Sequence, residues 1–85
     1  MKRYDEETIY KEIDEVNKVL SKRLKELRKE KKYRQLDVAN VLDVDRTVYT
    51  RMENAKNDIN YIQLIQLAAF FRTTVAYLLG ESDER

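Results

Sequence analysis

The stretch from Gln35 to Asn54 is the most informative part of the chain and reads QLDVANVLDVDRTVYTRMEN. Its pattern predicts a helix over 35–42, a tight turn, and a second helix that is capped by Asp45 and runs through Asn54. Two short helices joined in this way need apolar side chains at fixed positions, with a small residue where the helices approach most closely. All six of these positions are suitably occupied, by Val38, Ala39, Leu42, Val44, Tyr49 and Met52. The stretch therefore predicts a helix-turn-helix unit.

Further helices are predicted on both sides of this unit. Before it, apolar residues recur every three or four positions, which predicts either one long helix over 5–31 or two helices hinged near 17–21. After it, Asn60 is suited to cap a helix over 61–71, and Thr74 and Gly80 are suited to bound a short last helix. The 85 residues include no proline and one glycine, so the turns that a strand-rich domain needs are missing. The predicted fold class is all-α.

Composition excludes several classes of function. The chain has no cysteine and no histidine, so we expect no disulfide, no metal site, no cofactor, no catalytic residue and no enzyme activity. The longest apolar run, residues 67–71, is far too short to span a membrane. The acidic start, where a signal peptide would turn apolar, leads us to expect a cytoplasmic protein.

The net charge of +1 hides an uneven distribution along the chain. Residues 21–56 carry eleven basic and six acidic side chains, whereas residues 1–20 and 57–85 are each net −2. A concentrated basic segment favours a polyanionic partner, although charge alone fits an ordinary solvated helix face equally well.

Residues 21–80 resemble the lambda repressor/Cro-like (XRE) family of five-helix DNA-binding domains. The resemblance rests on LKELR at 24–28, Gln35, DRTVYTRMEN at 45–54, LIQLA at 64–68 and LLG at 78–80. It implies a DNA-binding domain over 21–80, with an N-terminal helical extension over 1–20 and a polar tail over 81–85. The family usually has glycine at the positions that Lys32, Asp43 and Ala55 occupy here. These turns are therefore either strained or built on another geometry.

The second helix of the unit has one apolar side and one polar side. A polar side rich in arginine and threonine suits the major groove, where arginine bonds guanine and a threonine methyl contacts thymine. We assign base reading to Arg46, Thr47, Thr50 and Arg51. An ordinary solvated face is the alternative.

Other roles follow from the resemblance. Gln35 resembles the family's phosphate-binding glutamine, and the full set predicted to contact phosphates is Arg34, Gln35, Asn54, Lys56 and Asn57. Arg28 and Glu53 match a family pair that forms a structural salt bridge. Tyr33 and Tyr61 are expected to fill core positions.

The N-terminal stripe lies outside the resemblance. Ile9, Ile13, Val16 and Leu20 would be exposed if the first helix ran on past the domain. They must either fold back on it or pack against a second subunit, with Phe71, Val75 and Leu79 as further candidates for the interface. We favour a homodimer, since the spacing resembles a short coiled-coil seam.

Three functional hypotheses remain open. The favoured one is a transcriptional regulator, a repressor that binds a palindromic operator in double-stranded DNA as a homodimer. The second is the antitoxin of a toxin–antitoxin pair, which would bind a protein partner and control its own promoter. The third is a protein-interaction module that has lost DNA binding.

Overall fold

The computed structural model describes residues 5–85 and contains five helices in that range. They are α1 (Glu6–Glu30), α2 (Gln35–Leu42), α3 (Arg46–Glu53), α4 (Tyr61–Phe71) and α5 (Val75–Leu79). The predicted all-α class is confirmed, and α2 and α4 have the predicted bounds. Residues 1–4 of the predicted extension lie outside the described residues. No helix within residues 5–85 is both long and apolar enough to cross a bilayer.

Helix α1 is one continuous element of 25 residues, which corresponds to about 38 Å. Asp5 caps it by accepting a hydrogen bond of 2.7 Å from the backbone N–H of Thr8, and Glu6 and Glu7 lie near the positive end of its dipole. Because Asn17–Ser21 continues the helix without interruption, the hinged alternative is wrong. The division between an extension and a domain at residue 20 stays a prediction.

The apolar stripe of α1 changes its role along the helix. Leu20, Leu24 and Leu27 are buried in the core of their own chain. Leu20 is only 6% exposed and packs mainly within its own chain; its assignment to an arm or dimer interface stays a prediction. Leu20 is buried because α1 packs against both α3 and α5, and the apolar face of α1 belongs to the core from Leu20 onward. Ile13 and Val16 remain exposed and Ile9 half-buried.

Helices α2 and α3 pack against each other as the helix-turn-helix pattern requires. Val38, Ala39, Tyr49 and Met52 are buried. Leu42 is also buried, and Val44 and Val48 pack against this core from half-buried positions; all of these belong to one cluster. The helix-turn-helix unit therefore places in the core the apolar side chains that its sequence pattern predicts.

The three positions where the family usually has glycine all adopt left-handed backbone. The φ angles are 60° at Lys32, 55° at Asp43 and 58° at Ala55. The turns therefore keep the geometry that glycine favours, although side chains occupy it here at a cost in backbone strain.

Helix α5 closes the domain against α1. Gly80 has φ 83°, and a Cβ atom there would lie 2.9 Å from Cγ1 of Val19. The 81–85 tail also lies on α1: Arg23 donates to the carbonyl oxygens of Tyr77 and Ser82 and pairs with Asp83. The C-terminal segment thus fixes the middle of α1 to the domain.

Three aromatic residues were given positions from the sequence, and two of these positions need correction. Tyr33 does pack against the core, with its ring centroid 4.8 Å from that of Phe70. Tyr61 is 72% exposed, so the expectation that it fills the core is wrong; it opens α4 on the side facing solvent. Phe71 is 1% exposed and is a core residue, so it is not available for an interface.

Candidate nucleic-acid interface

Helix α3 presents a polar face to solvent and an apolar face to the core. Arg46, Thr47 and Arg51 are exposed, whereas Tyr49 and Met52 on the opposite side are buried. This separation follows from the helical period, because residues three and four apart share a face. Three of the four predicted base-reading side chains therefore lie together on one open surface.

Thr50, the fourth predicted base reader, is partly occupied within the chain. Its Oγ1 lies 2.8 Å from Oε1 of Gln35 and 2.9 Å from the carbonyl oxygen of Arg46. A hydroxyl has one proton to donate, so it bonds to one of these acceptors at a time. Thr50 thus links α3 to the start of α2, and its half-buried side chain is less open than those of its neighbours.

Gln35, at the first position of α2, is held at both ends of its amide. Its Oε1 accepts from Thr50, and its Nε2 lies 3.4 Å from Oε1 of Glu53. The side chain is half-buried. The amide nitrogen carries two N–H donors, and one remains for an oxyanion near the helix N-terminus, where free backbone N–H groups also point outward.

The Arg28–Glu53 pair lies directly behind Gln35. Arg28 Nε is 2.7 Å from Glu53 Oε2, and a second guanidinium nitrogen is 2.9 Å from Oε1. Burial on its own would raise the pKa of Glu53, but the hydrogen bond and positive charge of Arg28, together with the Tyr49 hydroxyl and the Gln35 amide beside the carboxylate, outweigh burial and hold that pKa below its usual range. The carboxylate is therefore ionised and has no exposed surface. The pair joins α1 to α3 and positions Gln35.

Arg34 is held by the carboxylate of Asp37, which is not among the predicted site residues. Its guanidinium makes bonds of 2.9 and 3.3 Å to Asp37, which also accepts 2.7 Å from the backbone N–H of Arg34. The hydrogen bond from Arg34 lowers the pKa of Asp37. A phosphate at this helix terminus must therefore share Arg34 with Asp37. The spacing of three residues between opposite charges is the sequence signal for this pair.

The loop after α3 is tied to its last turn. Arg51 Nε donates 2.9 Å to Oδ1 of Asn57, and the backbone N–H groups of Lys56 and Asn57 donate to the carbonyl oxygen of Arg51. Asn54 and Lys56 are exposed and Asn57 is half-buried. The predicted phosphate contacts of this loop thus lie beside a predicted base reader, and Asn57 orients Arg51.

The candidate site is the surface formed by the outer face of α3, the start of α2 and the loop after α3, where the predicted base readers and phosphate contacts lie. Within residues 5–85, no three acidic side chains lie close enough together to hold a metal ion.

Comparison with known proteins agrees with this geometry. A family model described as helix-turn-helix matches residues 24–78, and the chain belongs to this XRE-type helix-turn-helix family. The match includes the whole unit formed by α2 and α3, and it begins within α1, after the predicted extension.

A curated relative extends the similarity. The chain is 35% identical over 68 residues to an uncharacterized HTH-type transcriptional regulator of Bacillus subtilis, YqaE. The aligned region covers 79% of this chain and 59% of that protein, so the chain spans well under two thirds of the relative's length. No solved structure matches the chain.

Proposed function

We propose that this protein is a sequence-specific regulator of transcription that binds double-stranded DNA and has no enzymatic role. The observation that carries this proposal is the outer face of α3, where Arg46, Thr47 and Arg51 are exposed together on a helix-turn-helix unit. An α-helix fits the major groove, and arginine and threonine side chains bond to or contact base edges there. The name of the relative, an HTH-type transcriptional regulator, supports the same function.

The rigidity of the surface also favours DNA reading. Gln35 is oriented by Thr50 and Glu53, and Glu53 in turn by Arg28. Base readers and phosphate contacts must keep a fixed register with the duplex, since phosphate contacts position the protein and base contacts specify the sequence. The protein-interaction alternative gives no reason for this arrangement of donors.

We further propose that the protein acts as a homodimer, as a repressor on a palindromic operator in the cytoplasm. The N-terminal half of α1 and the α4–α5 side of the domain form an apolar groove of about 360 Å³. Its apolar lining consists of Ile9, Ile13, Val16, Leu20, Ile59, Leu64 and Leu79. The outer side of α4 adds three exposed side chains, Tyr61, Ile62 and Ile65.

A second copy is the occupant that best suits the groove. A two-fold axis brings the same surface from both chains, so that each copy covers the other's apolar residues. The four- and three-residue spacing of Ile9, Ile13 and Val16 suits helix-to-helix packing along such an axis. Two copies of α3 related in this way read two half-sites about one helical turn apart.

Selection from random duplexes tests the function directly. The purified protein is mixed with a pool of random duplexes at about 0.15 M salt, and the retained sequences are determined. A palindromic site with half-sites about one turn apart is the expected result, and Arg46→Ala should relax specificity at one base position in each half-site. Recovery of no sequence above background would reject DNA reading and move the weight to a protein partner, as in an antitoxin.

A further inference from the structure

A row of four lysines runs along one side of α1 beside the end of α3. Their spacing of four, three and four residues places them on one helix face, and the row is about 17 Å long at 1.5 Å per residue. They form one wall of a groove of about 450 Å³ that also includes Asn54 and Ala55. This lysine row consists of Lys18, Lys22, Lys25 and Lys29.

The ammonium groups of the lysine row are not neutralised within the described chain. The ion pairs among residues 5–85 all have arginine as the basic partner. Three of the four lysines are exposed and Lys25 is half-buried. Glu26 lines the same groove, which leaves its walls with a clear excess of positive charge. Such a groove attracts a polyanion.

The lysine row is continuous with the proposed DNA surface. Asn54, which caps the end of α3 and belongs to the predicted phosphate contacts, lies in the same groove as the row. Ser21, next to Lys22, donates to the carbonyl oxygen of Glu53, and this bond fixes α1 against the end of α3. A nucleic-acid strand that contacts Asn54 therefore meets the lysines next.

The dimensions suit a phosphate backbone. Successive phosphates of one strand are about 3.4 Å apart along the helix axis and farther apart along the strand itself, so a row of about 17 Å reaches several phosphates. Lysine carries a point charge on a flexible stem, which suits a repeating phosphate better than a specific base.

We propose that the lysine row binds the sugar–phosphate backbone of the duplex that α3 enters, as a second and sequence-independent contact beyond the helix-turn-helix unit. This inference rests on the proposed function. It predicts that part of the affinity comes from α1, outside the surfaces assigned to base reading.

The test compares two variants of the full chain that remove the same charge. Lys18→Gln/Lys22→Gln neutralises half of the row. Lys31→Gln/Arg72→Gln neutralises two exposed charges that do not line this groove. Affinity for the selected duplex and for an unrelated duplex of equal length is measured as a function of salt concentration. Thermal unfolding of both variants is followed to establish that they are folded.

We expect the row variant to reduce the slope of log affinity against log salt by about 2 for each protomer bound, since each phosphate contact contributes about 0.9. Its preference for the selected duplex should be unchanged, and the control variant should keep the wild-type slope. Single uncharged methylphosphonates in the duplex should weaken binding of the wild type, but not of the row variant, at a few adjacent positions.

Three results would overturn the inference in different ways. If both variants keep the wild-type slope while the wild type still selects its operator, the lysine row is not a phosphate contact and the proposed function stands. If the wild type binds neither duplex, the proposed function fails and this inference fails with it. An equal loss of slope in both variants would show general electrostatic attraction and no site on α1.

Discussion

Arg28 and Glu53 form a two-point ion pair, with distances of 2.7 and 2.9 Å, across the interface between α1 and α3. The carboxylate has no exposed surface, and its Oε1 also lies 3.4 Å from Nε2 of Gln35. A buried charge of this kind is held by its partners, and removal of one partner leaves the other without compensation. The pair therefore couples the stability of the domain to the position of Gln35.

Arg28→Met should lower the free energy of unfolding by about 3–5 kcal/mol, because it leaves the Glu53 carboxylate buried without a counter-charge. Urea unfolding at neutral pH measures this loss. The matched control is Asp83→Asn, which breaks the Arg23–Asp83 pair at a side chain that is 96% exposed; it should cost about 1 kcal/mol or less. Equal losses in the two variants would contradict a structural role for Arg28.

The stability of the domain should fall in acid because of Glu53. The pKa of its carboxyl group is lower in the folded chain than its ordinary value of 4.5, so the folded state favours the ionised form. The resulting stabilisation is complete well above pH 4.5 and is lost as the pH falls through the folded-state pKa. Glu53→Gln should remove part of this pH dependence in urea unfolding series. If Glu53→Gln keeps the full pH dependence of the wild type, the Glu53 carboxyl group is not its cause.

Ala55→Gly should stabilise the protein even though it removes a side-chain carbon. Residue 55 has φ 58°, a conformation that costs alanine about 1–2 kcal/mol, and the greater freedom of glycine in the unfolded chain offsets part of the gain. The net increase in unfolding free energy should be about 0.5–1 kcal/mol.

The same substitution at Ala69 is the matched control for Ala55. Ala69 is exposed and lies within α4, where glycine should cost about 1 kcal/mol. Thermal unfolding compares the two variants. A loss of stability in both would contradict the interpretation that left-handed strain is stored at Ala55.

Gln35→Ala should weaken DNA binding on all sequences by a similar factor. Loss of the amide removes a phosphate donor and also frees Thr50 and Glu53 from their bonds. We expect a loss of about 1–1.5 kcal/mol on the selected operator and on an unrelated duplex. Titrations with both duplexes measure the effect. A loss confined to the operator would place Gln35 among the base readers.

The sequence predicted the helices well because their determinants are local. The caps at Asp5, Asn60 and Thr74 accept the expected hydrogen bonds from the backbone, and the apolar spacing of the helix-turn-helix unit corresponds to its core positions. Left-handed backbone at Lys32 was one of two open alternatives, and the structure selects it. The residue type could not predict this conformation, because lysine does not favour left-handed backbone.

The errors concern long-range packing. Phe71 was named as a candidate for an interface, but it belongs to the buried core of its own chain. Tyr61 was expected in the core, but its place at the start of α4 directs it to solvent. The spacing of apolar residues shows which face of a helix is apolar. It does not show which part of that face is covered, because that depends on where the other helices of the domain cross it.

The exposed part of the apolar stripe of α1 is the place to break the proposed dimer. Ile13 is 45% exposed, so Ile13→Glu should leave the fold intact. A charge buried in a subunit interface without a partner is costly, so this variant should be monomeric and bind the palindromic operator much more weakly than the wild type. Sedimentation equilibrium measures the oligomeric state, and circular dichroism checks the fold.

Two further variants locate the interface. Leu20→Ala should lower the unfolding free energy by about 2–5 kcal/mol, as expected for a core residue, and should weaken the dimer much less than Ile13→Glu, because Leu20 lines the groove but is only 6% exposed. Tyr61→Glu changes an apolar side chain that is 72% exposed on α4. If Tyr61→Glu dissociates the protein and Ile13→Glu does not, then the outer face of α4 forms the interface and α1 has another partner. If the wild type is itself monomeric at all concentrations, the homodimer proposal is wrong. The proposed palindromic site then loses its support as well, since it rests on two copies related by a two-fold axis.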